Sequence, residues 1–470
     1  MFTPENYTYA SILFPRLLGL IFFFAFGAFL FQIRGLIGSK GILPIENFLR
    51  AVKLQMPKSW YYELPTVFWF NCSDTALMAV VATGTFLSVL LMLGVFPPLI
   101  LLLLYILYLS IINTGQDFLG FGWEGFLMEI TINTFFLTLS TPPNILIWIS
   151  LNLVLFRFHF QGGAVKLQSK DPNWRNLTGV AYHYLSQPIP NAVAWYAHKL
   201  PMWFQKFSTL LMLVVEIVVP FAMFGTDWMR LGVYFSFMGL QFFIWLTGNF
   251  SYLNHMTVVL ATILIANAYM PPWLVLQQVE TAPSIITTVI CTFAGMILII
   301  LQLIQLWQSF SPNILFHQIL QKARHYFITN RYGIFAVMTT QRLEIIFEGS
   351  DDQIYWKEYT FKHKPSEVTR RPRRISPFQP RIDWQAWFLP LGNFYRHEAW
   401  FSNFIYHLLK GTPEVLALIR DNPFSNAPPK FVRTVVYDYQ FTTFKEKKET
   451  GCWWKREYLG LFTQPSMLKK

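Results

Sequence analysis

Apolar residues occur in long runs over the first two-thirds of the chain, separated by short polar turns. A helix that crosses a bilayer needs about 20 mainly apolar residues, each adding ~1.5 Å of length. The runs predict about nine spans, at residues 17–33, 76–96, 98–112, 126–140, 145–160, 207–224, 229–247, 252–270 and 285–307. This pattern predicts an α-helical multi-pass membrane bundle.

A different pattern lies in residues 44–54. Ile45 and Leu49 recur at helical spacing, and Glu46 and Arg50 lie on the opposite face. A helix with one apolar and one charged face lies flat at the membrane surface. We expect a short interfacial helix here.

From residue 331 onward apolar and polar residues alternate, which is typical of strands. Strands are predicted at 334–338, 343–348, 355–363 and 431–444, and helices at 384–388 and 400–409. The C-terminal part is therefore predicted to be a soluble α+β domain with a small β-sandwich.

Composition supports this division. Of the 470 residues, 54% are hydrophobic and only 13% are charged, against about 25% charged in soluble domains. A soluble enzyme, a disordered or fibrous chain and a disulfide-stapled module are thereby excluded. Residues 1–307 contain 24 charged side chains and the other 163 residues contain 38. We therefore expect a transmembrane domain at 1–307, with large polar loops 34–75 and 161–206, and a soluble β-rich domain at 308–470.

The net charge of +12 resides mostly in the C-terminal part. With nine spans, both large loops share one side of the membrane with this part, and the positive-inside rule makes that side cytoplasmic. The basic cluster at 370–374 has no nucleic-acid-reading motif beside it. We expect the lipid bilayer, and no nucleic acid, as its partner.

Ionisable groups at membrane depth are functional candidates because each costs about 2.5–3.5 kcal/mol to insert. Glu129 and Glu216 lie in predicted spans, and Asp117 and Glu124 lie at the mouth of the span at 126–140. Glu124 and Glu129 are candidate catalytic acids, and Asp117 is a candidate binding residue. The alternative is a set of interior acids satisfied by neighbouring helices.

Polar chemistry is densest in residues 157–206. Lys166 lies near the membrane surface, where a poorly solvated lysine can act as a base, although it can also extend to the headgroups. His183 is a candidate acid–base group, with a purely structural hydrogen bond as the alternative. The remaining candidates are binding residues in the same segment and in a second polar turn on the same side: Asp171, Trp174, Arg175, Asn249 and Asn254.

We expect these loops to line one cavity. No hydrolase, zinc-protease, P-loop or dinucleotide motif occurs in the sequence, so neither a metal nor another cofactor is predicted. Asn176 and Asn249 begin glycosylation sequons on the side of the C-terminal part, and Asn6 begins one on the opposite side.

The chain resembles the lipase maturation factor family. The resemblance runs from about residue 11 to 460, through stretches at 65–69, 123–129, 161–167, 171–178, 182–191, 248–254, 347–352, 380–388 and 451–456. It implies a multi-pass membrane protein that assists folding and assembly of a secreted lipase and is not an enzyme. It further implies the endoplasmic reticulum membrane in a eukaryote, or the inner membrane in a bacterium. The polar loops would then face the lumen or periplasm, whereas the positive-inside rule places them in the cytoplasm.

A shorter stretch favours an alternative. Gly162 to Leu167 resembles the surroundings of the catalytic lysine of vitamin K-dependent gamma-carboxylase, although the spacing to Asp171 and Trp174 differs. This likeness implies an integral membrane enzyme in which Lys166 is the base. A transporter fits the intramembrane acids, but no internal repeat is visible.

Four tryptophans of the C-terminal part are expected to be exposed and to contact the client, because tryptophan is enriched at binding hot spots. They are Trp384, Trp387, Trp453 and Trp454. The alternative is that they belong to a hydrophobic core.

Overall fold

The computed structural model describes residues 3–271, 283–392 and 396–468. The described helices of the first part are α1 (Thr8–Gly27), α2 (Ile33–Ile37), α3 (Ile45–Gln55), α4 (Trp60–Glu63), α5 (Asp74–Leu93), α6 (Pro97–Thr114), α7 (Gly122–Leu137), α8 (Ile145–Gln168), α9 (Pro172–Arg175), α10 (Gly179–Ser186), α11 (Ala192–Ala197), α12 (Met202–Ile217), α13 (Asp227–Thr247), α14 (Leu253–Ala261), α15 (Ile285–Gln308) and α16 (Ile314–Arg324).

Seven helical stretches of the described ranges are long and apolar enough to cross a membrane. They are Pro4–Phe31, Asp74–Leu93, Pro97–Thr114, Ile145–Gln168, Met202–Phe224, Asp227–Thr247 and Ile285–Gln308. This confirms the multi-pass helical bundle. Residues 45–55 form a helix as predicted, and its position at the membrane surface stays a prediction.

The count of nine spans is not confirmed. Two of the predicted spans correspond to shorter helices, namely α7 with 16 residues and the stretch Leu253–Leu264. Both are largely buried, α7 against α6 and α8, and α14 against α1 and α13. A helix enclosed by protein does not need to match the lipid thickness, so it can be short and can carry carboxylates such as Glu124 and Glu129.

Local signals in the sequence set the helix ends. The Ser73 hydroxyl accepts a hydrogen bond from the amide of Ala76 and begins α5. Gly94, with φ of +78°, ends it in the left-handed region. This left-handed conformation strains any residue with a side chain, so it is the reason that glycine is favoured here.

Within its described residues the C-terminal part contains one antiparallel sheet in the strand order β2-β1-β3-β4. Its described elements are β1 (Leu343–Ser350), β2 (Lys357–Glu358), α17 (Arg381–Ala386), α18 (Glu398–Lys410), α19 (Pro413–Leu416), β3 (Phe431–Phe441), α20 (Phe444–Thr450) and β4 (Trp454–Ser466).

The α+β class is confirmed, but a single sheet takes the place of the predicted sandwich. Residues 334–338 form no strand, and only Lys357–Glu358 of 355–363 pairs with β1. The apolar face of β1 is covered by helix α18, where Phe347 contacts Phe401 and Phe404, so no second sheet is needed. Strand β4 was not predicted, because Gly460 and Pro465 interrupt its alternation.

Polar contacts join the two parts of the chain. Gln32, after α1, donates to the carbonyl of Gln379 and accepts from the amide of Arg381. The buried Arg342 guanidinium donates to the carbonyls of residues 185, 187 and 188. The polar segment 161–206 therefore lies against the C-terminal part, on the same side of the bundle. The boundary at 307/308 stays a prediction.

Candidate functional site

The first candidate acid, Glu129, lies fully buried in α7. Its carboxylate accepts from the Arg157 guanidinium of α8 at 2.6 Å, and both side chains are 0% exposed. The Tyr332 hydroxyl donates to it at 2.6 Å and the Asn330 amide at 2.8 Å. Since every partner is a donor that stabilises the carboxylate, this geometry is that of a satisfied structural ion pair.

Glu124, five residues earlier, has its counter-ion in the C-terminal part. It forms a fully buried ion pair with Arg381 at the start of α17. Its other oxygen accepts from the amide of Phe121 at 2.7 Å, and so caps its own helix. Arg381 also donates to the carbonyl of Phe118 at 3.1 Å. This pair fixes the mouth of α7 against the C-terminal part.

Lys166 is buried near the end of α8 and is fully engaged. Its ammonium donates to both carboxylate oxygens of Glu216, at 2.9 and 2.7 Å, and to the carbonyl of Gly162 at 3.0 Å. It also lies 5.5 Å from the centre of the Trp174 ring. All three donors of the ammonium thus have acceptors, and its ionic partner is Glu216 of α12 and not Asp171.

Asp171 and Trp174 organise the turn after α8. One Asp171 oxygen caps α9 through the amide of Asn173 at 2.8 Å, and the other accepts from the amide of Met338 at 2.5 Å. The Trp174 indole donates to the carbonyl of Phe335 at 3.0 Å. Arg175 is exposed. Two of the three residues therefore bind the segment that enters the C-terminal part.

His183 lies close by, between two aromatic rings. Its ring is parallel to that of Phe250 at 5.7 Å and edge-on to that of Phe335 at 4.8 Å. Burial, and secondarily the positive charge of Lys166, lower the pKa of His183 to about 4. The imidazole is therefore neutral at physiological pH.

The remaining predicted residues take separate roles. Asn249 is buried and bridges to the C-terminal part, since it donates to the carbonyls of Ile189 and Arg373 and accepts from the amide of Ile375. Asn254 donates to Gln241 at 2.7 Å. Asp117 is half-buried, and burial raises the pKa of its carboxyl.

One cavity brings part of this set together. It has a volume of about 300 Å³ and lies between α8, α10, α12, α13 and α14 and the segment 331–335. Predicted residues on its wall are Lys166, Trp174, His183 and Asn254. Glu124, Glu129, Asp117, Asp171, Arg175 and Asn249 are not on its wall. A shared cavity around Lys166 is therefore present, but the candidate acids of α7 do not face it.

The four tryptophans are not exposed, which corrects the expected exposure. Trp384, Trp387, Trp453 and Trp454 are 3%, 8%, 9% and 2% exposed. Trp453 packs edge-on against Trp195 at 5.5 Å, and Trp454 stacks on Phe441 at 4.4 Å. Trp195 belongs to the 161–206 segment and Phe441 to β3, so these rings are covered by residues distant in the chain, which local sequence does not reveal.

Sequence reasoning missed the partners of these groups. No sequence pattern singles out Arg381, Asn330 or Tyr332, and the pattern around Glu216 indicates only an intramembrane acid. An unpaired acid in a span calls for a basic partner, but no spacing rule identifies a partner 257 residues away. Among the described residues no three His, Cys, Asp or Glu side chains are grouped as metal ligands.

Fold and site together define a multi-pass membrane protein whose polar loops and C-terminal part form one body on one side of the bundle. The lipase maturation factor transmembrane domain matches residues 9–271, and the lipase maturation factor C-terminal domain matches residues 328–464. The chain belongs to the lipase maturation factor family.

Curated relatives support this assignment over nearly the whole length. Lipase maturation factor 1 of Mus musculus is 31% identical, with 97% of this chain and 86% of the relative covered. Lipase maturation factor 2 of Homo sapiens is 29% identical, covering 94% and 80%, and that of Gallus gallus is 28% identical, covering 93% and 78%. These names do not favour the carboxylase-like alternative. No solved structure matches the chain significantly.

Proposed function

We propose that this protein is an integral membrane factor that assists the folding and assembly of a secreted lipase. Similarity to named lipase maturation factors across both parts of the chain carries the proposal. In a eukaryotic host the membrane is that of the endoplasmic reticulum, and in a bacterium it is the inner membrane. The polar loops and the C-terminal part then face the lumen or periplasm, where a secreted client folds.

The outer edge of the sheet is the surface proposed for the client. Among the strands that the structure describes, β4 pairs only with β3 and lies at the end of the strand order. Tyr458, Leu459 and Leu461 on this strand are 53%, 53% and 44% exposed. An apolar edge strand with free backbone groups is suited to accept an extended segment of an incompletely folded chain.

In this proposal Trp453 and Trp454 act indirectly. They anchor the start of β4 against α11 and β3, and so hold the edge in place for the client. Trp384 packs against Trp123 at the mouth of α7, 5.1 Å between ring centres, and positions the C-terminal part on the bundle.

The test is complementation in cells that lack their own lipase maturation factor. The readout is secreted lipase activity per unit of lipase protein. The full chain is expected to restore this ratio when it is coexpressed with the lipase of its own host. Failure to restore it, with the protein correctly inserted and abundant, would overturn the proposed function.

A pair of variants tests the client surface. Leu459→Arg with Leu461→Arg places charge on the free edge and is expected to lower the ratio ~5–30-fold, as for a loss of about 1–2 kcal/mol of binding free energy. Ile354→Arg is the matched control, because Ile354 is 73% exposed in the loop between β1 and β2, near the opposite edge. Equal ratios for the edge variant and this control would refute the β4 surface.

A further inference from the structure

Helix α16 has an apolar side that the described parts of the chain leave open. The helix begins six residues after the end of α15, which is one of the seven apolar spans, and it packs against that span. Its side chains Ile314, Leu315 and Ile319 are 80%, 61% and 37% exposed. A cluster of exposed aliphatic side chains marks a surface that contacts protein or membrane.

The turns of α16 divide its side chains into three groups. At about 100° per residue, the three exposed aliphatic side chains share one arc of ~140°. Leu320 and Ala323 are buried and occupy a second arc, which faces the protein. His317 and Arg324 are exposed and occupy the third arc. A helix with separate apolar and polar sides fits the boundary between lipid and water.

The apolar side of α16 follows directly on the lipid-facing surface of α15. Leu303 and Trp307, near the end of α15, and Phe310, after it, are exposed and follow one another at helical spacing. Because α15 is long and apolar enough to span the bilayer, its exposed side contacts lipid. A tryptophan at the end of a span is typical of the headgroup layer. This continuity favours lipid over a protein as the neighbour of α16.

The charges of this segment favour an anionic lipid surface. Residues 309–331 contain Lys322, Arg324 and Arg331 and neither Asp nor Glu. All three basic side chains are exposed, and none of them has a carboxylate within 4 Å among the residues that the structure describes. Basic side chains next to a span attract anionic headgroups.

Lys322 combines the apolar and the basic property. It follows Ile319 by three residues and Leu315 by seven, so its aliphatic stem lies along the apolar side of the helix. A lysine in such a place extends its ammonium group to the headgroups. Arg324 lies across a helix that is about 10 Å wide, so its charge also acts within roughly one Debye length of the headgroups.

We propose that α16 lies flat in the surface of the bilayer and binds the phosphate groups of anionic phospholipids through Lys322 and Arg324. Its apolar side enters the boundary between headgroups and acyl chains. Asn330 and Tyr332, which follow the helix, donate hydrogen bonds to Glu129 of α7. The helix thus attaches the beginning of the C-terminal part to the lipid surface. This role is separate from the β4 edge and holds whether or not a lipase is the client.

The first test measures the position of α16 with a bimane fluorophore on the full chain in nanodiscs. The background carries Cys72→Ser, Cys291→Ala and Cys452→Ser, and the fluorophore is attached to Leu315→Cys or to His317→Cys. These positions point about 200° apart on the helix. Phosphatidylcholine brominated near the headgroup is expected to quench bimane several-fold more at 315 than at 317. Equal quenching at both positions would overturn the proposal, and so would a 315 position shielded from water but not quenched, which would indicate a protein cover.

The second test measures the headgroup preference with bimane at position 315. Brominated phosphatidylglycerol, as a minor component, is expected to quench about fivefold more than brominated phosphatidylcholine at the same fraction, as for ~1 kcal/mol of attraction. Lys322→Gln with Arg324→Gln is expected to remove this preference. Lys357→Gln with Lys430→Gln is the matched control, because it removes the same charge from exposed positions in the C-terminal part, and it should keep the preference. Equal quenching by the two lipids without these substitutions would overturn the proposal.

A charge-conserving exchange separates the effect of charge from that of shape. Lys322→Arg with Arg324→Lys retains both cations and is expected to keep the preference for phosphatidylglycerol. The buried contacts of Leu320 and the cap at Asn313 are unchanged in every variant, so the unfolding temperature is expected to stay constant. A folded Lys322→Gln with Arg324→Gln protein that keeps the preference, or an exchange variant that loses it, would contradict binding through these two side chains.

Discussion

Arg157 and Glu129 form an ion pair 2.6 Å long with neither side chain exposed to solvent. A buried pair contributes little net stability when it is intact, but removal of one partner leaves the other charge unpaired at a cost of about 3–5 kcal/mol. The pair is therefore best tested by breaking it and then removing both charges.

We expect Glu129→Gln to lower the free energy of unfolding by about 3–5 kcal/mol, because the Arg157 charge remains buried. The measurement is thermal or denaturant stability of the purified protein in detergent. Glu129→Gln with Arg157→Gln is expected to recover part of the loss. Glu46→Gln, in the exposed Glu46–Arg50 pair, is the control and should cost under ~1 kcal/mol. A Glu129→Gln protein as stable as this control would contradict the structural role.

Variants of Lys166 distinguish a structural role of this side chain from a catalytic role. Lys166→Met leaves Glu216 without its cation and is expected to reduce the amount of folded protein, whereas Lys166→Arg keeps the charge and should retain most of the maturation activity. Lipase activity per unit of lipase protein is measured beside the level of folded factor. An inactive but normally folded Lys166→Arg protein would revive the enzyme alternative, because arginine cannot act as a base.

Glycosylation in a eukaryotic host shows which segments of the chain face the lumen. Asn176 is exposed, whereas Asn249 is 2% exposed and its amide donates to two carbonyls. We expect a glycan on Asn176 and none on Asn249 or Asn6, read as mobility shifts that Asn→Gln variants remove. Pro428→Thr creates a further sequon at the exposed Asn426 and should be modified as well. A glycan on Asn6, or none at either Asn176 or Asn426, would contradict a lumenal C-terminal part.

His183 gives the protein a pH dependence. Its pKa is about 4 in the folded protein and ~6.5 when unfolded. The unfolded chain therefore binds the extra proton first, so the contribution of His183 is fully present above pH 6.5 and is lost as the pH falls toward 4. We expect His183→Phe to flatten the fall in stability over this interval by up to ~1.4 kcal/mol per pH unit. Identical pH profiles for variant and wild type would contradict this role.

Truncation after Trp307 tests the dependence of the bundle on the C-terminal part. Glu124 then loses Arg381, and Glu129 loses Asn330 and Tyr332. We expect the truncated protein to accumulate poorly, because buried Glu124 loses its counter-ion and buried Glu129 loses two of its donor residues. Glu124→Gln should raise its level, because it removes the carboxylate whose counter-ion is lost, whereas Glu129 keeps Arg157 as its partner. A truncated bundle as abundant as the full chain would show that these contacts are dispensable for folding.

The sequence predicted much of the fold because its largest signals are local. Continuous apolar runs gave the membrane helices, and alternation gave β1 and β3. Strand β4 lacked that signal, and the sandwich failed because α18 covers the sheet from a distant part of the chain. Local patterns identify elements but do not identify what covers them.

The same limit applies to the candidate site, where the sequence identified unusual residues but not their partners. The residue types flagged as unusual, such as Glu124, Glu129 and Lys166, are indeed buried and ionically paired. Their partners could not be read from the sequence, since pairing depends on helix packing. The exposure expected for Trp453 and Trp454 was wrong for the same reason, because their cover is Trp195 and Phe441.

The distance along the chain between Glu124 and Arg381 has a consequence for biosynthesis. The carboxylate enters the membrane region when α7 is made, but its counter-ion is translated 257 residues later. Until then α7 lacks the guanidinium that it needs as a partner, and the first helices remain incompletely assembled. The nascent chain thus reaches its settled arrangement only after translation is nearly complete, so a ribosome that stops early leaves a product that membrane quality control can recognise.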